Sequence, residues 1–445
     1  MTEAAGRHIA VIGGGIMGVS AAEALLRDGH KVTMIEPGTF GGPQAASFGN
    51  GAFLSPASNT PVSMPGLWAK VPGYLRDREG PLTIRWAHLP RLAPWLLRFL
   101  AAGWTEARVT RTAAALGALL DDAAGRHAAL AARVGAPDLI RREGLIYLYR
   151  DRAAYEAEAL AWRLRRDAGV RADLLEGEAL AARVPGLSPD YRFGVLLHDG
   201  GHCTEPGAYV AAIADWCLAQ GMSHVGARAI GLRTEGGHVR AVRTETGDVP
   251  CDGAVVTAGV HSGALVRACG DRVPMEAERG YHIELTEGAP DLPTPVMPQD
   301  LKVAITRTRT GLRVAGQVEL ASTSTAPDWR RADLLRRALL ECFPGLGTDP
   351  DALTVTRWQG NRPSPTDGVP VIGPARVGGV TYAFGHGHFG LVAAPMTAAL
   401  VADMVAGRAP AIAPAPFSVA RFRRGGRTRR SPAHHARATA TAHGG

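Results

Sequence analysis

The chain has 445 residues and a formal net charge of +8, with 46% hydrophobic and 20% charged residues. This length predicts roughly two to three domain-sized units. Seven arginines and no acidic residue lie between Pro416 and Gly445, which leaves about +1 for the preceding 415 residues. The composition therefore excludes the body of the chain as a nucleic-acid binder, and it predicts that residues 416–445 form a basic, disordered tail.

The cysteines and the apolar segments bear on the compartment of the protein. Five cysteines are scattered without a C-x-x-C pair, which is typical of free thiols in a reducing compartment. The opening segment MTEAAGR lacks the apolar centre of a signal peptide, and we find no uncharged apolar stretch of about 18 residues. We expect a cytoplasmic protein without a membrane-spanning helix.

The first functional motif in the chain is a glycine turn between two predicted strands. Residues 8–35 have the pattern of strand, turn, helix and strand, and Gly13, Gly15 and Gly18 form G-x-G-x-x-G at the turn. Such glycines allow a tight turn, close approach of the backbone to a pyrophosphate and close helix packing, while the helix N-terminus favours negative charge. Glu36 ends the second strand, where it would accept hydrogen bonds from ribose hydroxyls and disfavour a 2′-phosphate. The predicted dinucleotide contacts are Gly13, Gly14, Gly15, Ile16, Met17, Gly18 and Glu36.

NAD and FAD share this fingerprint, and the continuation of the chain decides between them. The next segment is the loop SFGNGAFLSP (47–56), and further parallel-strand candidates return only after residue 220. An interrupted nucleotide domain is typical of FAD enzymes. We therefore predict an α/β fold, α+β overall, in which an antiparallel-sheet substrate domain is inserted into an interrupted, FAD-binding Rossmann-like domain. The predicted FAD-binding domain is 1–60, 195–270 and 355–415, and the predicted substrate domain is 61–194 and 271–354.

A second glycine-rich turn, GHGHFG (385–390), precedes an apolar helix predicted from Leu391 to Val405. Its glycines would let the backbone pass beneath a planar ring, and the helix N-terminus would face the flavin C2 carbonyl and N1, which carry negative charge when reduced. We disfavour a metal at His386 and His388, because no third or fourth ligand is evident. Their side chains could line the substrate side or bind the backbone, and the sequence leaves both open. The predicted flavin contacts here are Gly385, His386, Gly387, Phe389, Gly390 and Leu391.

Together these motifs resemble the D-amino acid dehydrogenases. They belong to a larger family of FAD-dependent amine and amino acid oxidoreductases that includes D-amino acid, glycine and sarcosine oxidases. The resemblance covers residues 8–422 and also rests on DREGPLTIRWAHLPRLAPWLLRFL, ERGYHIEL and GNRPSPTDGVPVIG. The first and third of these are specific to the dehydrogenase branch. Residues 423–445 extend beyond the point where similar proteins end.

The resemblance implies further contacts to FAD. It implies that Ser47 and Asn50 lie against the flavin or its ribitol chain and that adenine is contacted near Ala229 or Ile230. The end of the strand VVTAG would pass the pyrophosphate and adenine side through Thr257, Ala258 and Gly259. We expect the FAD to be non-covalent, because no cysteine lies in the flavin-facing motifs; the sequence leaves only Cys203 open in this respect.

Candidate residues for the substrate come from the same motifs. A planar guanidinium fork suits a carboxylate better than an ammonium does, and the resemblance places the carboxylate-binding arginine at Arg362. Tyr281 and Arg279 form a second candidate cluster, in which Tyr281 could donate to the carboxylate or cover the pocket. The candidate catalytic residues are Arg362, Tyr281, Arg279 and His388.

The resemblance implies oxidative deamination of a D-amino acid, or of an imino acid such as D-proline, by hydride transfer to flavin N5. Positioning and electrostatics would suffice, without an obligatory protein base. Electrons would pass to a quinone or respiratory acceptor, and residues 88–104 could lie on the inner face of the cell membrane or pack as an amphipathic helix. The alternatives are an oxygen-using oxidase of glycine or sarcosine type and a non-catalytic flavin subunit. The sequence does not determine the substrate side chain, the electron acceptor or the oligomeric state.

Overall fold

A computed structural model describes residues 6–76 and 79–423, which contain 21 strands and twelve α helices. The strands in chain order are β1 (His8–Ile12), β2 (Lys31–Ile35), β3 (Phe53–Leu54), β4 (Leu82–Ile84), β5 (Ile140–Arg141), β6 (Leu145–Tyr149), β7 (Ala172–Glu176), β8 (Phe193–Leu197), β9 (Gly201–Cys203), β10 (Ser223–Val225), β11 (Ala229–Glu235), β12 (His238–Thr244), β13 (Gly247–Pro250), β14 (Gly253–Val256), β15 (Met275–Leu285), β16 (Val296–Pro298), β17 (Ala304–Arg307), β18 (Leu312–Leu320), β19 (Val355–Pro365), β20 (Val371–Pro374) and β21 (Val380–Phe384).

The helices alternate with the strands in the first half of the chain and become rare in the second. In chain order they are α1 (Ile16–Arg27), α2 (Leu67–Arg76), α3 (Leu89–Ala102), α4 (Glu106–Leu120), α5 (Ala123–Arg133), α6 (Arg152–Glu156), α7 (Ala159–Asp167), α8 (Gly177–Arg183), α9 (Pro206–Ala219), α10 (Ser262–Ala268), α11 (Arg330–Cys342) and α12 (Gly390–Ala406).

The nucleotide-type sheet has six strands in the order β10-β2-β1-β14-β21-β20, and only β20 runs antiparallel to its neighbour. Helices α1, α9 and α12 bury one face, while α10 and the meander β11–β13 cover the other. Its central strands are mainly apolar, as expected for parallel strands that are buried on both faces. The carboxyl ends of β1, β14 and β21 meet at one edge, which brings together the segments that follow Ile12, Val256 and Phe384.

The second sheet is larger and holds β19-β15-β18-β17-β16-β6-β8-β7, with β4 beside β18. It is mixed rather than purely antiparallel as predicted, because β16 pairs with β6 and β18 with β4 in parallel. One face packs on α11 through the apolar side chains of β15 and β18. The opposite face of β15 and β18 binds the loop that precedes β3. The small sheet β3-β9-β5 lies next to that loop.

Three predicted domain boundaries are wrong in the structure. The boundary at residue 195 falls inside β8, which pairs with β6 and β7 of the large sheet. Residues 355–365 form β19, which pairs along its whole length with β15, although we assigned them to the FAD-binding domain. Helices α4 and α5 pack in the core of the nucleotide-type sheet, although we assigned them to the substrate domain. The hydrophobic pattern predicts a buried strand or helix but not which sheet buries it.

The predicted tail begins later than Pro416. Phe417 and Val419 are each 1% exposed, in two short 3-10 turns. Arg421 pairs with Asp367 (2.7 Å), and the chain is held as far as Arg423. The prediction of disorder is therefore wrong for residues 416–423, which pack on the nucleotide-type sheet. Residues 424–445 of the predicted tail lie outside the described residues.

Contrary to the expectation from the sequence, one described helix is apolar and long enough to cross a membrane by composition alone. The segment Gly387–Ala406, which contains α12, has a mean hydropathy of 1.7, and 61% of the residues in its most apolar stretch are buried. Buried core helices have the same composition. In this fold α12 packs against α1, α4 and α5 and against strands β20 and β21, so we assign it to the protein core.

Candidate active site

The glycine turn after β1 is shaped by close contacts within the chain. Gly13 has φ +107°, and a Cβ there would lie 2.9 Å from the Cα of Ala258. A Cβ on Gly18 would lie 1.8 Å from the carbonyl oxygen of Gly13. At Gly15 the nearest atom to such a Cβ is the Oγ of Ser47, at 3.4 Å. The first and third glycines are therefore required by the fold itself, while the second leaves the backbone open to a ligand.

Two hydroxyl groups from other segments hold this turn. Thr257, just after β14, donates from its Oγ1 to the carbonyl oxygens of Ile12 (2.8 Å) and Gly13 (2.9 Å). The hydroxyl of Ser47 accepts from the N–H of Ile16 (3.0 Å) and so caps α1, whose own N-cap residue provides no side-chain bond. Both residues were predicted from the resemblance, and the structure places both at the turn.

Glu36 lies at the end of β2 with both carboxylate oxygens bound by backbone N–H groups. Oε2 accepts from Gly14 (2.7 Å) and Oε1 from Gly38 (2.9 Å). Each carboxylate oxygen keeps further acceptor capacity, so ribose hydroxyls can still bind. The rings of Phe40 and His224, which the sequence analysis missed, lie 4.8 Å apart next to this carboxylate. His224 also binds the backbone carbonyl of Glu36. Predicting this contact from the sequence would have required knowing that β10 pairs with β2.

The loop before β3 is fixed to the large sheet through four consecutive carbonyl groups, those of residues 48–51. Arg313 donates to the first and third of these carbonyls at 3.1 and 3.2 Å. A ring nitrogen of His282 lies 3.1 Å from the second, and the hydroxyl of Thr306 donates to the fourth at 2.8 Å. Glu284 balances the charge of Arg313, at 2.8 Å. None of these four anchoring residues was predicted from the sequence.

This anchoring decides where the backbone donors of the loop point. A trans peptide directs its N–H opposite to its C=O, so the N–H groups of Gly49, Asn50 and Gly51 point away from the sheet. Within the described residues these three groups have no acceptor. The Oδ1 of Asn50 closes the loop by accepting from the N–H of Ala52 (2.7 Å), which has φ +65°. The loop thus presents a row of free donors on the side that faces away from the large sheet.

Trp358 covers this loop from β19. A Cβ on Gly49 would lie 1.9 Å from its indole ring, and a Cβ on Gly360 would lie 2.0 Å from it. The ring also stacks on His282, with centroids 5.2 Å apart. Gly49 in SFGNG and Gly360 in QGNRP are therefore required by the fold to accommodate the indole.

In the turn 385–390, His386 points into the core. It is 3% exposed, and its Nε2 lies 3.1 Å from the hydroxyl of Thr397 in α12. Burial lowers the pKa of His386 to about 3, so the ring is neutral. Phe389 and Leu391 are buried in the same core. These three predicted cofactor residues can therefore face a ligand only through their backbone.

The first turn of α12 receives a hydrogen bond from outside the helix. Pro395 has no N–H for the carbonyl of Leu391, four residues before it. The Nε2 of His127 in α5 lies 2.8 Å from that carbonyl, and the hydroxyl of Tyr209 lies 3.1 Å from its Nδ1. Burial lowers the pKa of His127 to about 4, and the neutral ring donates through Nε2. This chain of groups fixes the start of α12 next to the site.

His388 points in the opposite direction from His386. Its Nε2 lies 2.5 Å from the Oε2 of Glu278 on β15, and the Glu278 side chain is 7% exposed. Burial by itself raises the pKa of Glu278, but His388, Arg362 and Ser364 together lower it. The carboxylate is therefore charged. His388 therefore bonds a side chain instead of the backbone, and that side chain is the cross-strand neighbour of Arg362.

The guanidinium of Arg362 lies across β15 without a carboxylate partner. Its Nη1 donates to the carbonyl of Gln317 (3.1 Å), and its Nη2 lies 3.5 Å from that of Gly316. Within the described residues no carboxylate oxygen lies within 4 Å of it. Burial lowers the pKa of Arg362, and Glu278 opposes that change, but a guanidinium stays protonated in proteins. This is a part-buried cation that can accept an anionic ligand.

Tyr281 and Arg279 do not join this group. Both are buried, and they pair with Glu319 on the sheet face that packs on α11. The Tyr281 hydroxyl donates to Glu319 (2.5 Å) and accepts from the N–H of Asp328 (3.0 Å). Neighbouring residues of a strand point to opposite faces, and Glu278 and Gly280 occupy the face with Arg362. The prediction that Tyr281 and Arg279 line the substrate site is therefore contradicted by their position.

Two other predicted cofactor residues, Ile230 and Gly259, have no polar side chain with which to bind a ligand. Ile230 is 54% exposed on β11, and Gly259 has φ +53° just after Thr257. The five cysteines are buried and free. Among the described residues no group of three or more His, Cys, Asp and Glu side chains could hold a metal ion.

Comparison with known protein families identifies this arrangement. The model of the family described as FAD dependent oxidoreductase (DAO) matches residues 8–404. The chain belongs to this family. The predicted family, fold class and enzyme class are thereby confirmed, and FAD is the cofactor of the family.

Similar proteins agree in sequence and in fold. A D-amino-acid oxidase of Bradyrhizobium diazoefficiens is 47% identical over 94% of this chain and 99% of its own length. A D-amino acid dehydrogenase 2 of Ralstonia nicotianae is 34% identical over 93% of this chain and 100% of its own. The structure of glycine oxidase from Geobacillus kaustophilus superposes with a TM-score of 0.70 at 19% identity, covering 93% of this chain and 98% of that one.

Proposed function

We propose that this FAD-dependent oxidoreductase deaminates a D-amino acid, or a cyclic imino acid such as D-proline, by oxidation. The observation that carries the proposal is the part-buried guanidinium of Arg362, which has no carboxylate partner in the described chain. It lies on the sheet face that also anchors the loop 48–51. The names of the similar oxidase and dehydrogenase support a substrate of D configuration.

The site fits FAD in three features. The turn after β1 leaves the backbone open at Gly15, the loop 48–51 presents free N–H groups, and the N-termini of α1 and α12 face the same edge of the sheet. Flavin oxygens and nitrogens accept such hydrogen bonds, and helix N-termini favour phosphate and anionic reduced flavin. The residues proposed to hold FAD are Gly13, Gly14, Gly15, Ile16, Met17, Gly18, Glu36, Ser47, Asn50, Ile230, Thr257, Ala258, Gly259, Gly385, His386, Gly387, Phe389, Gly390 and Leu391.

Bound FAD would supply the chemistry by accepting a hydride from the substrate α-carbon. The chain itself binds and orients the substrate. Arg362 holds the carboxylate through its planar fork, while the carbonyls of Gly316 and Gln317 keep the fork in place. Gln317 has φ +60° at an irregularity in the pairing of β15 and β18. A strained backbone at such a position is consistent with a binding role.

We propose that FAD is held without a covalent bond. Cys203 is the one cysteine that the sequence left open, and it lies on β9 next to the loop 48–51. It is fully buried, and burial raises the pKa of its thiol to about 12. A thiol in that state is a poor nucleophile at neutral pH. Yellow colour that stayed with the acid-precipitated protein would contradict this proposal.

We also propose that the enzyme touches a membrane surface through α2, α3 and the segments that flank them. Trp68, Trp86, Leu97 and Trp104 are 57–70% exposed. The opposite side of α3 packs inward through Leu92 and Trp95. Packing as an amphipathic helix therefore describes one face of residues 88–104, and membrane contact is proposed for the other face. Exposed tryptophans, together with the exposed arginines Arg91 and Arg98 of α3, suit the interface of an anionic membrane.

An oxidase that passes electrons to oxygen is the second candidate. It is favoured by the D-amino-acid oxidase of Bradyrhizobium diazoefficiens, which is 47% identical to this chain, against 34% for the D-amino acid dehydrogenase 2 of Ralstonia nicotianae. Formation of one hydrogen peroxide per substrate consumed would support the oxidase. Turnover that needs a quinone would support the dehydrogenase.

The deciding experiment for the proposed function is anaerobic. FAD-loaded protein is mixed with D- and L-amino acids, imino acids and simple amines, and the loss of flavin absorbance is recorded. We expect reduction by D-amino acids or cyclic imino acids and little reduction by amines without a carboxylate. A flavin that none of them reduces would contradict the proposal and favour a non-catalytic subunit.

A further inference from the structure

A cavity next to the turn 385–390 brings a histidine and a buried carboxylate to its wall. His388 and Glu278 line it on one side, and residues of 61–63, α3 and α4 line it on the other. The charged or titratable side chains on its wall are His388, Glu278 and Asp367, and Asp367 is held by Arg421 at 2.7 Å. The lining residues contributed by α3 and α4 are Phe99, Ala102, Val109 and Thr112.

The hydrogen bond between these two side chains fixes the tautomer of the histidine. A charged carboxylate can only accept, so the Nε2 of His388 must carry the hydrogen in the 2.5 Å contact with Glu278. In the neutral ring the lone pair then lies on Nδ1. Among the described residues Nδ1 has no hydrogen-bond partner, and the His388 side chain is 38% exposed. His388 therefore offers a proton acceptor to the site.

The substrate needs such an acceptor. An amino acid at neutral pH carries an ammonium group, and its nitrogen must lose a proton before its lone pair can assist loss of hydride from the α-carbon. Arg362 and Glu278 are cross-strand partners on β19 and β15, and their charges interact. The proposed carboxylate site and the ring of His388 thus flank the same glutamate.

We propose that His388 accepts the proton of the substrate ammonium and that Glu278 is the residue that positions it. One N–H bond of the substrate breaks, its electron pair stays on nitrogen, and the proton binds the Nδ1 of His388. Glu278 balances the charge of the imidazolium and fixes the ring. This inference rests on the proposed function. It makes His388 the base that deprotonates the substrate nitrogen, and it assigns no base to the α-carbon.

The pH dependence of kcat/KM tests this inference. A general base typically contributes on the order of 10²–10⁴-fold, so His388→Asn should lower kcat/KM at pH 7 by about 10²-fold. The loss should shrink as the pH rises and the free substrate loses its proton in solution, and added imidazole should restore part of the activity. Glu278→Gln should move the acid limb of kcat/KM to lower pH, because the imidazolium loses its counter-charge.

A second histidine–glutamate pair on the same strand serves as the matched control. The Nε2 of His88 lies 3.1 Å from Glu276, two residues before Glu278, and neither residue lines the cavity. His88→Asn and Glu276→Gln should leave the pH profile of kcat/KM unchanged. FAD content is measured for every variant, and His388→Gln replaces His388→Asn if the latter loses flavin.

The outcomes separate this inference from the proposed function. If wild type oxidises D-amino acids and both His388 variants keep its pH profile, the base is not His388 and only this inference fails. The same holds if the acid limb moves equally in the His88 and Glu276 controls. If no amino acid reduces the wild-type flavin, the proposed function itself fails.

Discussion

A Cβ on Gly280 would lie 2.2 Å from the Nη2 of Arg362. The guanidinium reaches from β19 across β15 to the carbonyls of β18, and it can do so only where β15 has no side chain. Gly280 in ERGYH and Arg362 in GNRP are therefore two parts of one site.

Arg362→Ala tests the role of the guanidinium. Charge-assisted contacts and broken buried pairs are worth roughly 2–4 kcal/mol, which corresponds to a loss of about 30- to 1000-fold in kcat/KM. Arg362→Lys should recover only part of it, because an ammonium lacks the planar fork. FAD content should not change. Equal losses with amino acids and with amines that lack a carboxylate would show that Arg362 is structural.

Gly280→Ala should act through Arg362. We expect kcat/KM to fall about 5- to 150-fold, since overpacking of this kind costs roughly 1–3 kcal/mol and the guanidinium must move. In the Arg362→Ala background the same substitution should have little further effect on kcat/KM. Gly345→Ala is the control, because nothing lies within 4 Å of its new Cβ. Additive effects in the double variant would mean that Gly280 matters for a different reason.

The anchor of the loop 48–51 should decide FAD affinity. The double variant Arg313→Met/Glu284→Gln removes the hydrogen bonds to two carbonyls and does not leave Glu284 as an unpaired buried charge. Bonds from charged groups are worth about 1.5–3 kcal/mol each, so we expect the Kd for FAD to rise about tenfold or more in titrations of apoprotein. The exposed pair Arg171→Met/Asp199→Asn is the control. Unchanged FAD affinity in a folded double variant would contradict the anchoring role.

Buried neutral histidines should make the fold sensitive to acid. Burial lowers the pKa of His127, His202 and His282 to about 4 and that of His386 to about 3, against an ordinary value of 6.5. Between pH 6.5 and 4 the unfolded chain binds protons that the folded chain excludes, so stability is present above pH 6.5 and is lost as the pH falls.

His127→Gln isolates one of these histidines. The free energy of unfolding of the variant is measured by urea unfolding at fixed FAD concentration. Between pH 6 and 4.5, its slope against pH should be smaller than that of the wild type by at most about 1.4 kcal/mol per pH unit. At pH 7–8 the slopes of variant and wild type should coincide. Identical slopes of variant and wild type in the acid range would mean that His127 has the same pKa in the folded and the unfolded chain.

Membrane contact should depend on the exposed tryptophans. Trp86→Ser/Trp104→Ser should reduce sedimentation with vesicles of anionic lipid at least about tenfold, because each buried aromatic contributes roughly 1.5–3 kcal/mol. Binding of wild type should weaken with salt and with neutral lipid. Leu174→Ser, at another exposed apolar residue, is the control. Equal binding of both variants would exclude this surface.

The parts of the site whose contacts are local could be predicted from the order of the amino acids. The spacing of Gly13, Gly15 and Gly18, with Glu36 ending the next strand, predicts a dinucleotide turn because the contacts lie within one strand-turn-helix-strand unit. The glycine-rich turn and apolar helix of residues 385–406 were recognisable for the same reason. Arg362 was found through its motif, although the motif gave no reason for a glycine at residue 280.

Which residues face one another across the sheet became evident from the folded chain and not from the motifs. Tyr281 and Arg279 look as functional as Glu278 in the motif ERGYH, but alternation along β15 places them on the α11 face and Glu278 on the side of Arg362. Glu278 meets His388 across 110 positions of sequence, and Arg313 meets the carbonyls of residues 48 and 50 across more than 260. Such pairs depend on the order of the strands and on their register. Because paired strands are joined by long connections, neither is determined until the whole sheet has formed.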